Sequence, residues 1–302
     1  MKTETQSFYQ AAVERTVRRV AASLDTALDL AALARAAALS PFHFHRIFRG
    51  MVGETPLELH RRLRLERAAY RLLGSDASVT TLAFDAGYET HEAFTRAFRQ
   101  AYGAPPSSFR ETVRGPRAFW KVHLAARSGV HFDPTVQEPH THFEPQESTM
   151  NVTVETVPEL RIAAVHHVGP YNRISDAFQR LDALVRPAGL LREGTQMLAI
   201  YHDDPETTPA AELQADAGIT VPEGLPLPEG LVEKRIPAGR YARTTHAGPY
   251  ATLGDTWARF MGQWLPGSQE RVGPGSSYEV YRNTPMNAAP AELRTDLYLP
   301  VT

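Results

Sequence analysis

The sequence predicts an all-helical tandem helix-turn-helix domain followed by an α+β domain that contains two strand-helix-strand-strand repeats. Two internal duplications carry this prediction, one in each half of the chain, and the net charge changes sign between the halves. At 302 residues, with 42% hydrophobic side chains, the chain is long enough to form two domains with separate cores.

The charge is distributed unevenly along the chain. Residues 1–117 carry 17 basic and 12 acidic side chains, whereas the remainder carries 15 and 22, so a net charge of -2 divides into +5 and -7. A basic half joined to an acidic half indicates a polyanion-binding module attached to a different one. All but one of the basic residues in 1–117 are arginine, which suits bidentate contacts with phosphate and guanine.

The absence of cysteine removes several chemistries. With no cysteine, the protein has no disulfide, no thiolate metal site and no thiol nucleophile, and it cannot sense redox state through a thiol. The N-terminus lacks a signal-peptide core and no apolar run reaches about 18 residues, so we expect a cytoplasmic protein without a membrane partner.

The first helix-turn-helix unit is predicted by its periodicity and its breaks. An apolar helical pattern around Leu33 ends at Leu39-Ser40-Pro41, where an N-cap residue and a proline begin a new helix. Phe44, Ile47 and Phe48 share one face of that helix, which indicates a core role. Gly53-Glu54-Thr55-Pro56 then ends it, and a longer helix through Leu72 is expected to act as a rigid spacer.

The pattern then repeats at an offset of 50 residues. A short helix around Leu82, the turn Ala86-Gly87-Tyr88-Glu89 and a helix from Thr90 form the second unit. Two recognition helices held by one stiff helix are able to enter successive major-groove faces of one duplex. The matched positions are Ser40, Phe44, Arg46, Phe48, Gly53 and Pro56 with Thr90, Phe94, Arg96, Phe98, Gly103 and Pro106.

These residues resemble the AraC/XylS family of regulators over residues 8–113. The resemblance lies in Leu39-Ser40-Pro41-Phe42-His43-Phe44-His45-Arg46, in Ala83-Phe84-Asp85-Ala86-Gly87-Tyr88 and in Gly103-Ala104-Pro105-Pro106. It implies that the second helix of each unit contacts base edges. The implied DNA-binding residues, to which we add Arg49, are Phe42, His45, Arg46, His91, Glu92, Thr95 and Arg96.

The individual DNA roles rest on side-chain chemistry. Arg46 and Arg96 lie beside the apolar stripe of their helices, and arginine is suited to reading guanine. Glu92 repels phosphate but is able to accept a hydrogen bond from cytosine, and it equally suits a helix N-terminus. Its role therefore stays open.

Residues 114–149 are predicted to be a linker because periodicity fades and prolines are dispersed through them. The pair His140-x-His142 lacks carboxylate or thiolate partners at ligand spacing, so we interpret it as part of a solvated loop. No metal and no cofactor are expected.

The second half contains a duplication at an offset of 79 to 80 residues. Arg161-Ile162-Ala163 and His167-x-Gly169-Pro170-Tyr171 recur as Arg240-Tyr241-Ala242 and His246-x-Gly248-Pro249-Tyr250. Each copy continues into an amphipathic helix and then into further strands. The Gly-Pro-Tyr elements are interpreted as turns that begin helices, with an architectural role for both histidines.

This pattern resembles the GyrI-like effector-binding domain over residues 150–302. The resemblance implies a pseudo-twofold sheet with a central groove that takes bulky apolar or cationic compounds above an acidic residue. The order of the two domains also resembles Rob-type regulators.

Glu279 is the candidate acidic residue, because strand alternation places Ala199 at its duplicate position. A buried glutamate needs a partner, which is either a cationic ligand or one of the arginines at 240, 243 and 282. Aromatic side chains are candidates for the groove wall, with ordinary core packing as the alternative. They are Trp257, Trp264, Tyr171, Tyr250 and Tyr281.

The sequence thus predicts a transcription regulator that binds promoter duplex DNA and responds to a small-molecule effector, with RNA polymerase as a further expected partner. Two alternatives stay open. The C-terminal half could hydrolyse reactive electrophiles with Glu279, or it could sequester a protein. No nucleophile elbow, metal motif or phosphate loop supports catalysis, so no enzyme activity is expected.

Overall fold

A computed structural model describes residues 4–113, 121–134, 149–205 and 207–302 of the chain. Its internal contacts divide the chain into two compact units. The first unit holds the described residues of Met1–Ser7, Ser40–Ile47 and Gln146–Thr302, and the second those of Phe8–Leu39 and Phe48–Pro145. The first half of the predicted recognition helix therefore groups with the C-terminal residues, which the sequence did not predict.

Seven helices lie in the described stretch 4–113, and the predicted starts near Pro41, Pro56 and Thr90 are confirmed. The helices are α1 (Glu4–Ala22), α2 (Leu30–Ala36), α3 (Pro41–Val52), α4 (Pro56–Gly74), α5 (Val79–Asp85), α6 (His91–Tyr102) and α7 (Pro106–Thr112).

The helix boundaries follow from capping residues in the sequence. Thr55 and Glu58 form a capping box at the start of α4, with Oε2 of Glu58 accepting the Thr55 amide at 2.8 Å. Thr90 caps α6 by accepting the Ala93 amide at 3.1 Å, and Gly103 ends that helix in the left-handed region at φ 75°. Phe94 and Phe98 of α6 are fully buried, which confirms their predicted core role.

The arginines of α4 brace the second unit. Arg64 donates from Nε to the Leu24 carbonyl at 2.7 Å, and Arg71 pairs with Asp85 at 2.6 Å. These bonds fix the loop after α1 and the end of α5 to the long helix. The helix predicted to be a spacer is therefore tied to its neighbours through its arginine contacts.

Glu66 is a fully buried carboxylate of α4 that holds part of the predicted linker. Its side chain accepts the amides of Leu124 at 2.9 Å and Phe132 at 2.8 Å, and it lies 3.1 Å from Nδ1 of His131. Arg62 supplies the compensating charge at 2.9 Å. Residues 121–134 are thus bound to α4, whereas His140-x-His142 lies outside the described residues. The boundaries 8–113, 114–149 and 150–302 stay predictions.

The C-terminal residues form one antiparallel sheet in the order β1-β6-β8-β7-β3-β4-β2-β5. Its strands are β1 (Thr153–Val157), β2 (Leu160–Val168), β3 (Met197–Tyr201), β4 (Gln214–Thr220), β5 (Val232–Ile236), β6 (Gly239–Ala247), β7 (Tyr278–Tyr281) and β8 (Arg294–Pro300). Helix α8 (Ile174–Val185) follows β2, and α9 (Leu253–Arg259) follows β6 and continues into a π-helical turn at Phe260–Trp264.

Each repeat contains one strand more than its pattern predicts, and the repeats exchange that strand. Strand β1 pairs with β6 of the second repeat, and β5 pairs with β2 of the first. Both extra strands are edge strands whose side chains are largely exposed, so they lack the apolar alternation that announces a strand. The charged run Glu233-Lys234-Arg235 in β5 suits an edge that must not pair further.

The two repeats meet at the β3–β7 pair in the middle of the sheet, where Ala199 lies opposite Glu279. Helix α8 covers one side with a core that includes Ala177, Leu181 and Ile219. The other side of the sheet has its own core around Leu198 and Tyr278. None of the helices that the structure describes is long and apolar enough to cross a membrane.

Candidate functional site

Glu279 lies buried at the centre of the sheet and is held by two neutral donors. Only 4% of this residue is exposed. Nε1 of Trp257 donates to Oε1 at 2.7 Å, and the hydroxyl of Tyr281 donates to Oε2 at 3.0 Å. The first donor comes from α9 and the second from β7 itself, so helix and sheet together position the carboxylate.

Burial raises the pKa of Glu279 above its ordinary value, against the bonds from Trp257 and Tyr281 and the charge of Arg46. Desolvation is therefore the dominant influence on this carboxylate. A group in this state gains from any further positive charge that reaches it.

A chain of tyrosine side chains leads away from the carboxylate, beginning with Tyr281. The hydroxyls of Tyr201 and Tyr281 lie 3.0 Å apart, and the ring of Tyr171 packs edge-on against Tyr201 with 4.8 Å between centroids. Burial raises the pKa of Tyr171 to about 12 and that of Tyr201 and Tyr281 well above 10, so all three stay neutral. We call Glu279, Trp257, Tyr171, Tyr201 and Tyr281 the Glu279 cup.

The other two predicted wall residues lie further out. Tyr250 packs edge-on against Tyr281 at 5.4 Å between centroids and is 36% exposed. Trp264 packs against Phe260 at 5.4 Å between centroids, and Phe260 in turn packs against Trp257. Trp264 is therefore linked to Trp257 through the ring of Phe260.

The three arginines considered as structural partners of Glu279 pair with other carboxylates, so that alternative is wrong. Arg240 pairs with Glu270 at 2.8 Å, and Arg282 pairs with Asp296 at 2.6 Å. Arg243 lies 3.3 Å from the same carboxylate of Asp296. Arg243 and Arg282 thus compensate Asp296 on β8, which is itself buried.

Asp216, which occupies the duplicate position of Asp296, is also a buried carboxylate with basic side chains close to it. Asp216 lies 2.6 Å from His202, 2.8 Å from His166 and 3.1 Å from Lys234. Burial opposes its ionisation, but these contacts hold the pKa of Asp216 well below its usual range. Glu279 differs from both aspartates because its hydrogen-bond donors are neutral.

The positive charge that acts on Glu279 comes from Arg46 of α3. Its guanidinium carbon lies 3.7 Å from the centroid of the Phe42 ring and 5.5 Å from that of Trp257. Nη1 is buried and has no hydrogen-bond partner among the residues that the structure describes. Burial lowers the pKa of Arg46, and the charges of Asp204 and Glu279 offset this only in part.

Two histidines of α3 accompany Arg46. Nε2 of His43 lies 3.4 Å from Oγ of Ser277, and Nδ1 of His45 lies 3.8 Å from Oδ1 of the buried Asp204. The sequence analysis missed this set because it assigned His45 and Arg46 to DNA and left His43 without a partner. Two features of the sequence could have indicated it. His45 lies three residues before Phe48 of the buried helix face, and the acidic pair Asp203-Asp204 directly follows the strand that ends at Tyr201.

Replacing His43 by glutamine should flatten the dependence of stability on pH. Burial, with the nearby charge of Arg46, lowers the pKa of His43 from 6.5 to about 4. Between pH 4 and 6.5, His43 is therefore largely protonated in the unfolded chain but not in the folded chain, so the free energy of unfolding rises with pH in this range. Denaturant melts from pH 4 to 8 should show a wild-type slope steeper by up to about 1.4 kcal/mol per pH unit. Equal slopes below pH 6.5 would contradict the placement of His43, and equal slopes above pH 7 serve as the control.

The second recognition helix exposes two of its four predicted DNA-binding side chains and buries none of them fully. On α6, Glu92 and Arg96 are exposed, and His91 and Thr95 are half-buried. On α3, Arg49 is exposed, whereas Phe42 and Arg46 are half-buried and His45 is buried. The two duplicated arginines, Arg46 and Arg96, therefore have different surroundings.

The Gly-Pro-Tyr elements are turns that begin helices, as predicted. Gly169 and Gly248 have φ values of 128° and 131°, and a short 3-10 turn at each site leads into α8 or α9. Nε2 of His167 donates to the Pro170 carbonyl at 3.2 Å, and His246 makes the same bond to Pro249. Both histidines are therefore architectural.

Two family models match the chain. Residues 33–112 match a helix-turn-helix domain, and residues 150–302 match a GyrI-like small molecule binding domain. The HTH-type transcriptional regulator YbfP of Bacillus subtilis is 34% identical over 107 residues, which is 35% of this chain and 36% of YbfP. The DNA gyrase inhibitor of Escherichia fergusonii is 30% identical over 156 residues, which is 50% of this chain and 98% of that protein.

Among solved structures, the C-terminal domain of EcmrR is similar at 20% identity and a TM-score of 0.45, over 51% of this chain and 98% of that one. The two family models together match both the N-terminal and the C-terminal half of the chain. The predicted combination of a helix-turn-helix domain with an effector-binding domain is confirmed, and the protein belongs to the family that carries the GyrI-like small molecule binding domain.

Proposed function

We propose that this protein is a transcription regulator that binds promoter duplex DNA through α3 and α6 and changes its DNA affinity when a cationic aromatic compound binds the Glu279 cup. The observation that carries the effector half is a buried carboxylate held by neutral donors. The DNA-binding half rests on the duplicated helix-turn-helix pattern and on the match at residues 33–112.

The chemistry of the cup favours a cation over a neutral ligand. A carboxylate oxygen accepts more than one hydrogen bond, and each oxygen of Glu279 receives one described donor. The indole of Trp257 and the neighbouring phenols offer π faces to a cation in a desolvated site. A lipophilic cation would thus gain both a charge partner and aromatic contact.

The same residues argue against hydrolysis. A hydrolase that uses Glu279 as a base requires a nucleophile or a positioned water beside it. The described side chains that bond to the carboxylate are Trp257 and Tyr281, and burial raises the pKa of Tyr281 so far that its phenolate is not formed at neutral pH. Turnover of activated esters by the full chain would contradict this view.

Sequestration of a protein is the other alternative, and the relative named DNA gyrase inhibitor suggests a direct assay. We propose that effector binding, and not gyrase inhibition, is the function of this chain. Gyrase supercoiling should proceed at the same rate with and without the full chain. Inhibition by the wild type and by a Glu279→Gln variant alike would favour sequestration.

The DNA half is tested by selecting duplexes from a random library with the full chain. Arg96→Ala should then cost about 1 to 3 kcal/mol of affinity at the selected site if Arg96 contacts a base edge. Fluorescence anisotropy measures this, with Arg35→Ala on the exposed face of α2 as the control. An equal loss on random duplex would assign Arg96 to phosphate, and failure to enrich any sequence would overturn the DNA-binding proposal.

A further inference from the structure

A side chain of the predicted DNA-reading surface, Arg46, lies beside the Glu279 cup: its guanidinium carbon is 5.5 Å from the centroid of the Trp257 ring, and its charge acts on Glu279. We propose that Arg46 is a tethered occupant of the effector site, and that the effector is a planar, delocalised monocation of the arylguanidinium type that displaces it. This inference rests on the proposed function of the cup. It assigns the class of ligand and explains how a ligand that takes the place of Arg46 in the cup makes this arginine available to DNA.

The contacts of Arg46 define the ligand class. A guanidinium is flat and weakly hydrated, and it stacks on aromatic rings while it donates in its own plane. Arg46 stacks on Phe42 at 3.7 Å and approaches Trp257 at 5.5 Å, under the potential of Glu279 and Asp204. A compact ammonium loses more hydration on entry and has no face to stack, so it should bind less well.

Arg46 is also incompletely satisfied, which makes it displaceable. Its Nη1 is buried with no hydrogen-bond partner among the described residues. Such a donor has lost its bonds to water without gaining one to the protein, which is unfavourable. The lowered pKa of Arg46 agrees with this, because the two carboxylates do not fully offset the loss of water. A free cation that fits the cup competes against a poorly held side chain.

Occupation of the cup and reading of DNA are mutually exclusive for Arg46. Residues Ser40–Ile47, which include the first half of α3, group with the C-terminal residues, where His45 lies near Asp204 and Arg46 near Trp257. The duplicate arginine, Arg96, is exposed. A cation that displaces Arg46 should therefore release only the first recognition helix.

The test is a calorimetric titration of the full chain with phenylguanidinium. Arg46→Ala should tighten phenylguanidinium binding by about fivefold or more, which is the low end of typical coupling between sites. Arg96→Ala is the matched control, since it removes the duplicate arginine and should leave this affinity unchanged. Butylammonium should bind more weakly than phenylguanidinium to both variants.

The titration distinguishes failure of the proposed effector site from failure of the proposed role of Arg46. Absence of phenylguanidinium binding in wild type and in Arg46→Ala would overturn the effector site itself. Binding that is lost in Glu279→Gln but equal in Arg46→Ala and Arg96→Ala would keep the effector site and overturn the occupancy of Arg46.

A second measurement serves if Arg46→Ala does not fold. Phenylguanidinium should reduce the hydrogen-exchange protection of Ser40–Ile47 in the wild-type chain and leave that of 90–97 on the second recognition helix unchanged. Protection of Ser40–Ile47 that rises or stays constant at saturating phenylguanidinium would overturn the inference.

Discussion

Replacing Glu66 by glutamine is expected to lower the free energy of unfolding by about 3 to 5 kcal/mol, the cost of breaking a buried ion pair. Glu66 is fully buried and accepts from Arg62 and from two backbone amides of the segment 121–134. Glutamine keeps the volume, but it removes the charge and turns one end of the side chain into a donor that faces other donors. The segment 121–134 should lose its attachment to α4 first.

Chemical denaturation of the full chain measures this loss. Glu111→Gln at the exposed end of α7 is the matched control and should change stability by less than about 0.5 kcal/mol. A Glu66→Gln variant as stable as this control would show that the buried network does not hold the segment.

Replacing Glu279 by glutamine is expected to weaken phenylguanidinium binding by about 2 kcal/mol or more, as for loss of one member of a buried charged pair. Phenylurea, the neutral isostere, should bind wild type and variant alike, because it has the shape without the charge. Titration of both compounds against both proteins separates charge from fit.

In the Glu279→Gln variant, the stability of the fold should not follow the loss of affinity for phenylguanidinium. Burial raises the pKa of Glu279, so the ionised carboxylate costs the folded state free energy at neutral pH, and glutamine removes that cost. Loss of the negative charge that acts on buried Arg46 opposes this gain, so the melting temperature should change little. A large drop in melting temperature with unchanged phenylguanidinium affinity would assign Glu279 to a structural role and defeat the proposed site.

The duplications made most of the fold predictable. The offset of 50 between Phe44 and Phe94 placed two equivalent helices, and the offset of 79 between His167 and His246 placed two equivalent turns. Both depend on local patterns of apolar spacing and turn chemistry, which a sequence displays directly. The edge strands β1 and β5 escaped prediction because their exposed side chains carry no such pattern.

Long-range pairing of charges could not be predicted in the same way. The asymmetry with Ala199 predicted that Glu279 is a buried carboxylate, with either a cationic ligand or one of the arginines at 240, 243 and 282 as its partner. Asp296 takes two of these arginines. Arg46 suited DNA so well that a second role was not considered.

The binding of Glu66 to residues 121–134 was missed for the related reason that a loop has no periodicity. Its prolines and histidines indicated a connector, and nothing local indicates that two of its amides face a carboxylate of α4. Such contacts follow from tertiary packing alone.

Because the ligand displaces Arg46 from the Glu279 cup and frees it for DNA, ligand and DNA should each strengthen the binding of the other, and linkage requires that this coupling be reciprocal. The most direct test is the affinity of the full chain for its selected duplex, measured by anisotropy with and without saturating phenylguanidinium. We predict that saturating phenylguanidinium raises the affinity of the chain for duplex about fivefold or more, and that duplex raises its affinity for phenylguanidinium by the same factor. Glu279→Gln should abolish both effects. Duplex affinity that is unchanged by saturating phenylguanidinium, or changed equally in Glu279→Gln, would contradict the account.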